Sequence, residues 1–95
     1  MAKQVIWDNA ASDDLREAYT YLLALSEKYA DSFLELIFAR VELLEQFPKM
    51  GRIVPEMNLS SIRELIVENY RVLYFVNENT EIRIIAVRHS AKPLS

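Results

Sequence analysis

The side chains most able to do chemistry in this 95-residue chain lie in its second half: Arg52, Arg63, Tyr70, Arg71, Tyr74, Arg83, Arg88, His89 and Lys92. Guanidinium groups bind carboxylates and phosphates, and a histidine can move a proton near neutrality. The charge distribution points the same way. Residues 1–50 hold 5 basic and 9 acidic groups, net −4, whereas residues 51–95 hold 6 basic and 5 acidic, net +1. A surface that faces an anion is therefore expected in the second half. The overall charge of −3 argues against tight binding of nucleic acid through phosphates alone, and no direct sequence-specific DNA binding is expected.

Other chemistries find no support. One His and no Cys leave no zinc site, and a single Gly cannot build a phosphate-cradling loop. No metal or cofactor is expected. Ser60, Ser61 and Ser90 lack the context of an activated nucleophile. The paired carboxylates Asp13–Asp14 and Glu42/Glu45 fall on expected solvated helix faces. No apolar run reaches the roughly 18 residues of a membrane span, and the N-terminus lacks the apolar stretch of a signal peptide. A cytoplasmic protein without membrane contact is the expectation.

The elements that must position these side chains follow from patterning. Val5-Ile6-Trp7 is a short β-prone run, ended by the good N-cap residues Asp8 and Asn9. From there to Tyr29 the spacing of Leu15, Ala18, Tyr19, Leu22, Leu25 and Tyr29 predicts a helix with one apolar face. A break is expected at Ala30-Asp31-Ser32, where Ser32 to Glu35 has the form of a capping box. The second helix should run to Phe47 and stop at Pro48. Its apolar face is wide: Phe33, Ile37, Leu44 and Phe47 at the centre, with Leu34, Leu36, Phe38, Val41 and Leu43 on the flanks. Arg40 falls inside this stripe, either snorkelling and salt-bridged or as a hook for a partner's carboxylate. A loop should extend from Pro48 to about Ser61.

The remainder predicts three strands, Ile62–Val67, Tyr70–Val76 and Glu81–His89. Glu68-Asn69 and Asn77 to Thr80 supply the turns. In the last strand, alternation places Ile82, Ile84 and Ala86 on one side and Arg83, Ile85 and Val87 on the other. Tyr70 and Tyr74 share a face, as core or half-core residues, and Arg71 projects from the opposite one. The fold class is α+β in the order β-α-α-β-β-β, one domain over 1–95. A helical hairpin covers one face of an antiparallel sheet, because neither layer can bury its apolar face alone.

Several segments together resemble a known family. They are Ala11, Asp14-Leu15 and Tyr21; Phe47-Pro48-Lys49-Met50-Gly51-Arg52; Ile62-Arg63-Glu64-Leu65; Asn69-Tyr70-Arg71-Val72-Leu73-Tyr74; and Ile85-Ala86-Val87-Arg88-His89. In this order, over nearly the whole chain, they resemble the RelE/ParE superfamily, the toxins of bacterial type II toxin–antitoxin modules. The resemblance implies one of two activities: RelE-like cleavage of mRNA on the ribosome, or ParE-like poisoning of DNA gyrase without nuclease activity.

RNA cleavage by 2′-hydroxyl attack needs a base, an acid and cations at the phosphorane. By resemblance, RelE-type enzymes use two lysines before the Tyr-Arg strand, that strand's Arg, a later Arg and a tyrosine beyond it. Here those positions read Ile62, Glu64, Arg71 and Ser90, and the chain ends before the tyrosine. The match favours a ParE-like gyrase inhibitor. In the alternative, RelE-like reading, Arg71, Arg88 and His89 form a reduced catalytic set. The resemblance also implies a cognate antitoxin, with Leu34, Phe38, Arg40, Val41, Arg63, Arg71 and Arg83 as candidate contacts. A homodimer, or a heterotetramer with the antitoxin, would fit. Arg52, Arg88, His89 and Lys92 are the candidate target contacts.

Overall fold

A computed structural model describes residues 3–77 and 81–91. The elements are β1 (Gln4–Trp7), α1 (Asn9–Leu25), α2 (Glu27–Glu42) with a short 3₁₀ turn at Leu43–Glu45, β2 (Arg52–Ile53), β3 (Ile62–Val67), β4 (Tyr70–Val76) and β5 (Glu81–His89). The five strands form one sheet in the order β1-β5-β4-β3-β2. The expected strands β3, β4 and β5 form the antiparallel meander. The sheet as a whole is mixed, because β1 runs parallel to β5, with Val5 opposite Ile82 and Trp7 opposite Ile84. The crossover from edge strand to meander passes through both helices, a connection long enough to reverse direction. A second difference is β2, a two-residue strand pairing Arg52 with Glu64 and Ile53 with Arg63 inside a stretch read as loop.

The core lies between the helices and one face of the sheet. Ala11, Leu15, Ala18 and Leu22 of α1 meet Ala30, Phe33, Ile37, Val41 and Leu44 from α2 and its 3₁₀ turn. Below them lie Leu65, Val67, Tyr70, Val72, Tyr74, Ile82, Ile84 and Val87. Burying each larger side chain contributes about 1.5–3 kcal/mol. Phe33 stacks on Tyr70 with ring centroids 4.9 Å apart, which locks α2 to β4.

Three local expectations are corrected. The helices part at Ser26, whose hydroxyl caps α2 by accepting the Tyr29 N–H. The Ser32–Glu35 capping box is therefore helix interior, and Leu25 and Tyr29 leave the apolar face of α1 for solvent. The α-helix also ends at Glu42, so Phe47 lies beyond it and is exposed. In β5, a register shift opposes Leu73 to Ala86 but Tyr74 to Ile84. Ile85 is thus a bulge residue, and a bulge exchanges the faces of everything after it. Val87 joins Ile82 and Ile84 in the core, while Ala86 turns to the other face. Residues 78–80 of the expected turn and 92–95 of the tail, Lys92 included, lie outside the described residues.

No helix of the described residues is long and apolar enough to cross a membrane.

Candidate functional site

The face of the sheet turned away from the helices carries a chain of ion pairs. Alternation along β3 and β4 puts Glu64 and Arg71 on this face, and β2 brings Arg52 opposite Glu64. Glu64 is fully buried and accepts from both neighbours at 2.6 Å, from Arg52 Nε at one oxygen and Arg71 Nε at the other. The loop after β2 carries Glu56 over the same face, where it accepts both terminal nitrogens of Arg71 at 2.8 Å. The fork geometry of guanidinium and carboxylate suits this two-point contact. It holds the Glu56 carboxyl down at about 2, through the Arg71 hydrogen bonds first. The same two glutamates push the Arg71 guanidinium further up.

Other arginines among the described residues of the second half are engaged too. Arg63 donates to the carbonyls of Ser60 and Gly51. Arg83 donates to Glu81 at 3.0 Å and to Asp8. That second contact occupies the carboxylate expected to cap α1, which makes no side-chain cap bond. Gly51 lies tightly against the sheet. Its N–H donates to the buried Tyr74 hydroxyl at 2.9 Å, and a Cβ there would lie 2.6 Å from that oxygen and from the Glu64 carbonyl.

On the helix side, an open cleft of about 340 Å³ lies between α1 and the β4–β5 end of the sheet. Asp14 and Glu17 border it from α1, Tyr21 stands at its mouth, and Tyr70, Arg88 and His89 close the other side. Asp14 is not a solvated surface acid. One of its oxygens accepts the Val87 N–H at 3.0 Å and the other the Arg88 guanidinium at 3.4 Å. The reason is positional: Asp14 sits three residues after Ala11 and four before Ala18, on the buried side of α1. Arg88 reaches it around the edge of β5 left bare where β1 stops at Trp7. The His89 ring meets Tyr70 edge-on at 5.2 Å, and its Nδ1 accepts the Ala91 N–H.

The candidate contacts on α2 divide. Phe38 is 48% exposed and stacks edge-on against Trp7. Leu34 is partly buried beside the core, Arg40 is half-buried, and Val41 belongs to the core itself. The three residues of the reduced catalytic set are not gathered. Tyr70 and His89 are register partners on the helix side, and Arg71 and Arg88 are partners on the other. Arg88 turns back into the cleft, whereas Arg71 stays clamped between Glu56 and Glu64.

The family model described as the ParE toxin of the type II toxin–antitoxin system parDE matches residues 5–94. The chain belongs to the ParE toxin family. It is thus a type II toxin–antitoxin toxin of the RelE/ParE superfamily. Its fold is similar to that of a chain in the chromosomal ParDE toxin–antitoxin system of Pseudomonas aeruginosa, with a TM-score of 0.76 and 22% identity over 93% of this chain and 96% of that one. It is also similar to a chain of the toxin–antitoxin complex RelBE2 of Mycobacterium tuberculosis, with a TM-score of 0.62 and 21% identity over 94% and 99%. At such identities the likeness is one of fold. No curated protein sequence matches significantly.

For this ParE-family toxin, sequence reasoning missed Glu56 as the partner of Arg71. A glutamate fifteen positions away in a loop carries no periodic signal. It noted Glu64 only as an acid where a lysine would serve RNA cleavage. The available signal was that alternation places Glu64 and Arg71 on one sheet face.

Proposed function

We propose that this ParE-family toxin inhibits DNA gyrase by occupying a protein surface, without breaking a bond, and that a cognate antitoxin neutralises it. The observation that supports this reading is the state of Arg71. A guanidinium that must stabilise a phosphorane has to present its donors to the phosphate. Here one side of the group is held by buried Glu64 and the fork by Glu56. The histidine that would share the work lies on the opposite face of the sheet.

The antitoxin, in this proposal, lies along α2. Phe38 and Leu43 are more than two-fifths exposed there, as is Phe47 just beyond. Exposed apolar side chains on and just beyond a helix are suited to being covered by a partner's apolar face. Leu34, Phe38 and Arg40 are the proposed contacts on this helix, and Arg52, Arg88, His89 and Lys92 those for the target. The complex is proposed to assemble as a heterotetramer.

Two assays on the purified toxin decide the matter. In gyrase supercoiling, the toxin is expected to inhibit in proportion to its concentration. In primer extension on translated mRNA, no new cleavage sites are expected. Message cleavage that disappears in His89→Ala would overturn the proposal in favour of a RelE-like ribonuclease. Copurification with the product of the neighbouring gene, weakened by Phe38→Glu, tests the antitoxin surface.

A further inference from the structure

We infer that the cleft between α1 and the β4–β5 end of the sheet receives a guanidinium side chain presented by a partner polypeptide. The inference stands whichever cellular target the toxin has.

The acidic wall alone would not carry it. Asp14 is already engaged by the Val87 N–H and by Arg88. Glu17, one helical turn further along α1, is exposed and its carboxylate accepts no hydrogen bond among the described residues. The decisive group is Tyr70. It is 8% exposed, its ring is fixed between Phe33 and His89, and it lines the cleft. Its hydroxyl has no hydrogen-bond partner among the described residues, yet it is not sealed from solvent. The ring is held deep in the fold, while the hydroxyl oxygen keeps contact with solvent. That oxygen opens into the cleft, where an incoming donor can meet it.

Charge and shape then choose the ligand. Asp14, Glu17 and Arg88 give the lining a net charge of −1 with His89 neutral. Burial first, and Glu17 last and least, raise the Tyr70 hydroxyl above its ordinary value, so it stays a neutral phenol able to accept a hydrogen bond. An anion would face the negative lining, and the Arg88 guanidinium that could receive it is turned towards Asp14. A cation is attracted both by the carboxylates and by the exposed ring of Tyr21. A planar guanidinium can stack on a tyrosine while it forks onto Glu17, which a compact ammonium cannot do. The volume, about 340 Å³, admits one such side chain.

The test titrates N-acetyl-arginine methylamide into the purified full-length toxin and follows backbone amide resonances. Saturable, millimolar-range shifts are expected at Glu17, Val87 and His89. The lysine analogue should bind several-fold more weakly, and acetate and phosphate should leave these signals in place. Glu17→Gln, at an exposed site that tolerates change, should weaken binding by about fivefold or more. Tyr70→Phe, which removes only the hydroxyl, should weaken it by about two- to fivefold. Shifts that do not saturate, equal affinity in Glu17→Gln, or phosphate binding in place of arginine would each overturn the assignment.

Discussion

Replacing Arg71 with alanine should cost the fold about 3–5 kcal/mol, the usual consequence of removing one partner from a buried ion pair. The magnitude follows from what is left behind. Glu64 is fully buried, and each of its oxygens holds one guanidinium at 2.6 Å. Without Arg71, one oxygen of a buried carboxylate has no donor. Arg52, whose side chain is 59% exposed, is too well hydrated to compensate. A domain of 95 residues has a total stability of about 5–14 kcal/mol, so the substitution removes a large share of it. Urea unfolding at pH 7, followed by far-ultraviolet circular dichroism, measures the loss as a lower midpoint at unchanged slope.

The paired replacement Glu64→Leu with Arg71→Met removes both buried charges together. It should come within about 1–2 kcal/mol of the parent, because apolar groups of similar volume often replace buried pairs without loss. Comparing the single and double variants isolates the coupling between the two residues. If Arg71→Ala costs less than about 1 kcal/mol, Glu64 is not desolvated as the geometry implies. Arg71 would then be available to a ligand, and the case against ribonuclease chemistry would lose its support.

Gly51→Ala should destabilise by about 1–3 kcal/mol, since the new Cβ meets the Glu64 carbonyl and the Tyr74 hydroxyl at 2.6 Å; thermal unfolding reads it. Glu68 has φ 54° in the turn between β3 and β4, so Glu68→Gly should raise stability by about 0.5–1 kcal/mol in the same assay. An unchanged or lower midpoint would show that the turn is not strained. The acid limb of stability should depend on Glu56, whose carboxyl lies at about 2 against an ordinary 4.5. A carboxylate lowered in the folded state contributes stability that is complete above its unfolded value and lost as pH falls through the folded one. Glu56→Gln should therefore flatten the loss of stability between pH 4.5 and about 2, and urea midpoints across that window would show no change if the Arg71 contact were unimportant.

The meander was legible in the residues because its strands are long, β-branched and bounded by strong turn residues, and all three occupy their expected ranges. The helix junction was not. Ser26 is a single polar residue in a run that still looks amphipathic, and the competing Ser32–Glu35 pattern is locally as good. Only the packing of Phe33 on Tyr70 and of Ile37 in the core requires the turn to come earlier. The bulge at Ile85 was equally silent, since a one-residue slip in pairing belongs to two strands at once. Asp14 was misplaced for a related reason: a charge on a buried helix position announces a partner, but the partner is a backbone N–H more than seventy residues away.

The basic second half changes meaning in the fold. A local surplus of cations suggests an outward face for anions, yet Arg52, Arg63, Arg71, Arg83 and Arg88 each meet an oxygen of the chain itself. Those oxygens come partly from the acidic first half, through Asp8 and Asp14, so the charge asymmetry of the sequence is spent in tying the helices and β1 to the sheet. The apolar surplus is distributed in the opposite sense. With a thin core, Phe38, Leu43 and Phe47 remain outside it. Five internally engaged arginines and three exposed apolar side chains together support the proposed reading of a toxin that binds protein surfaces.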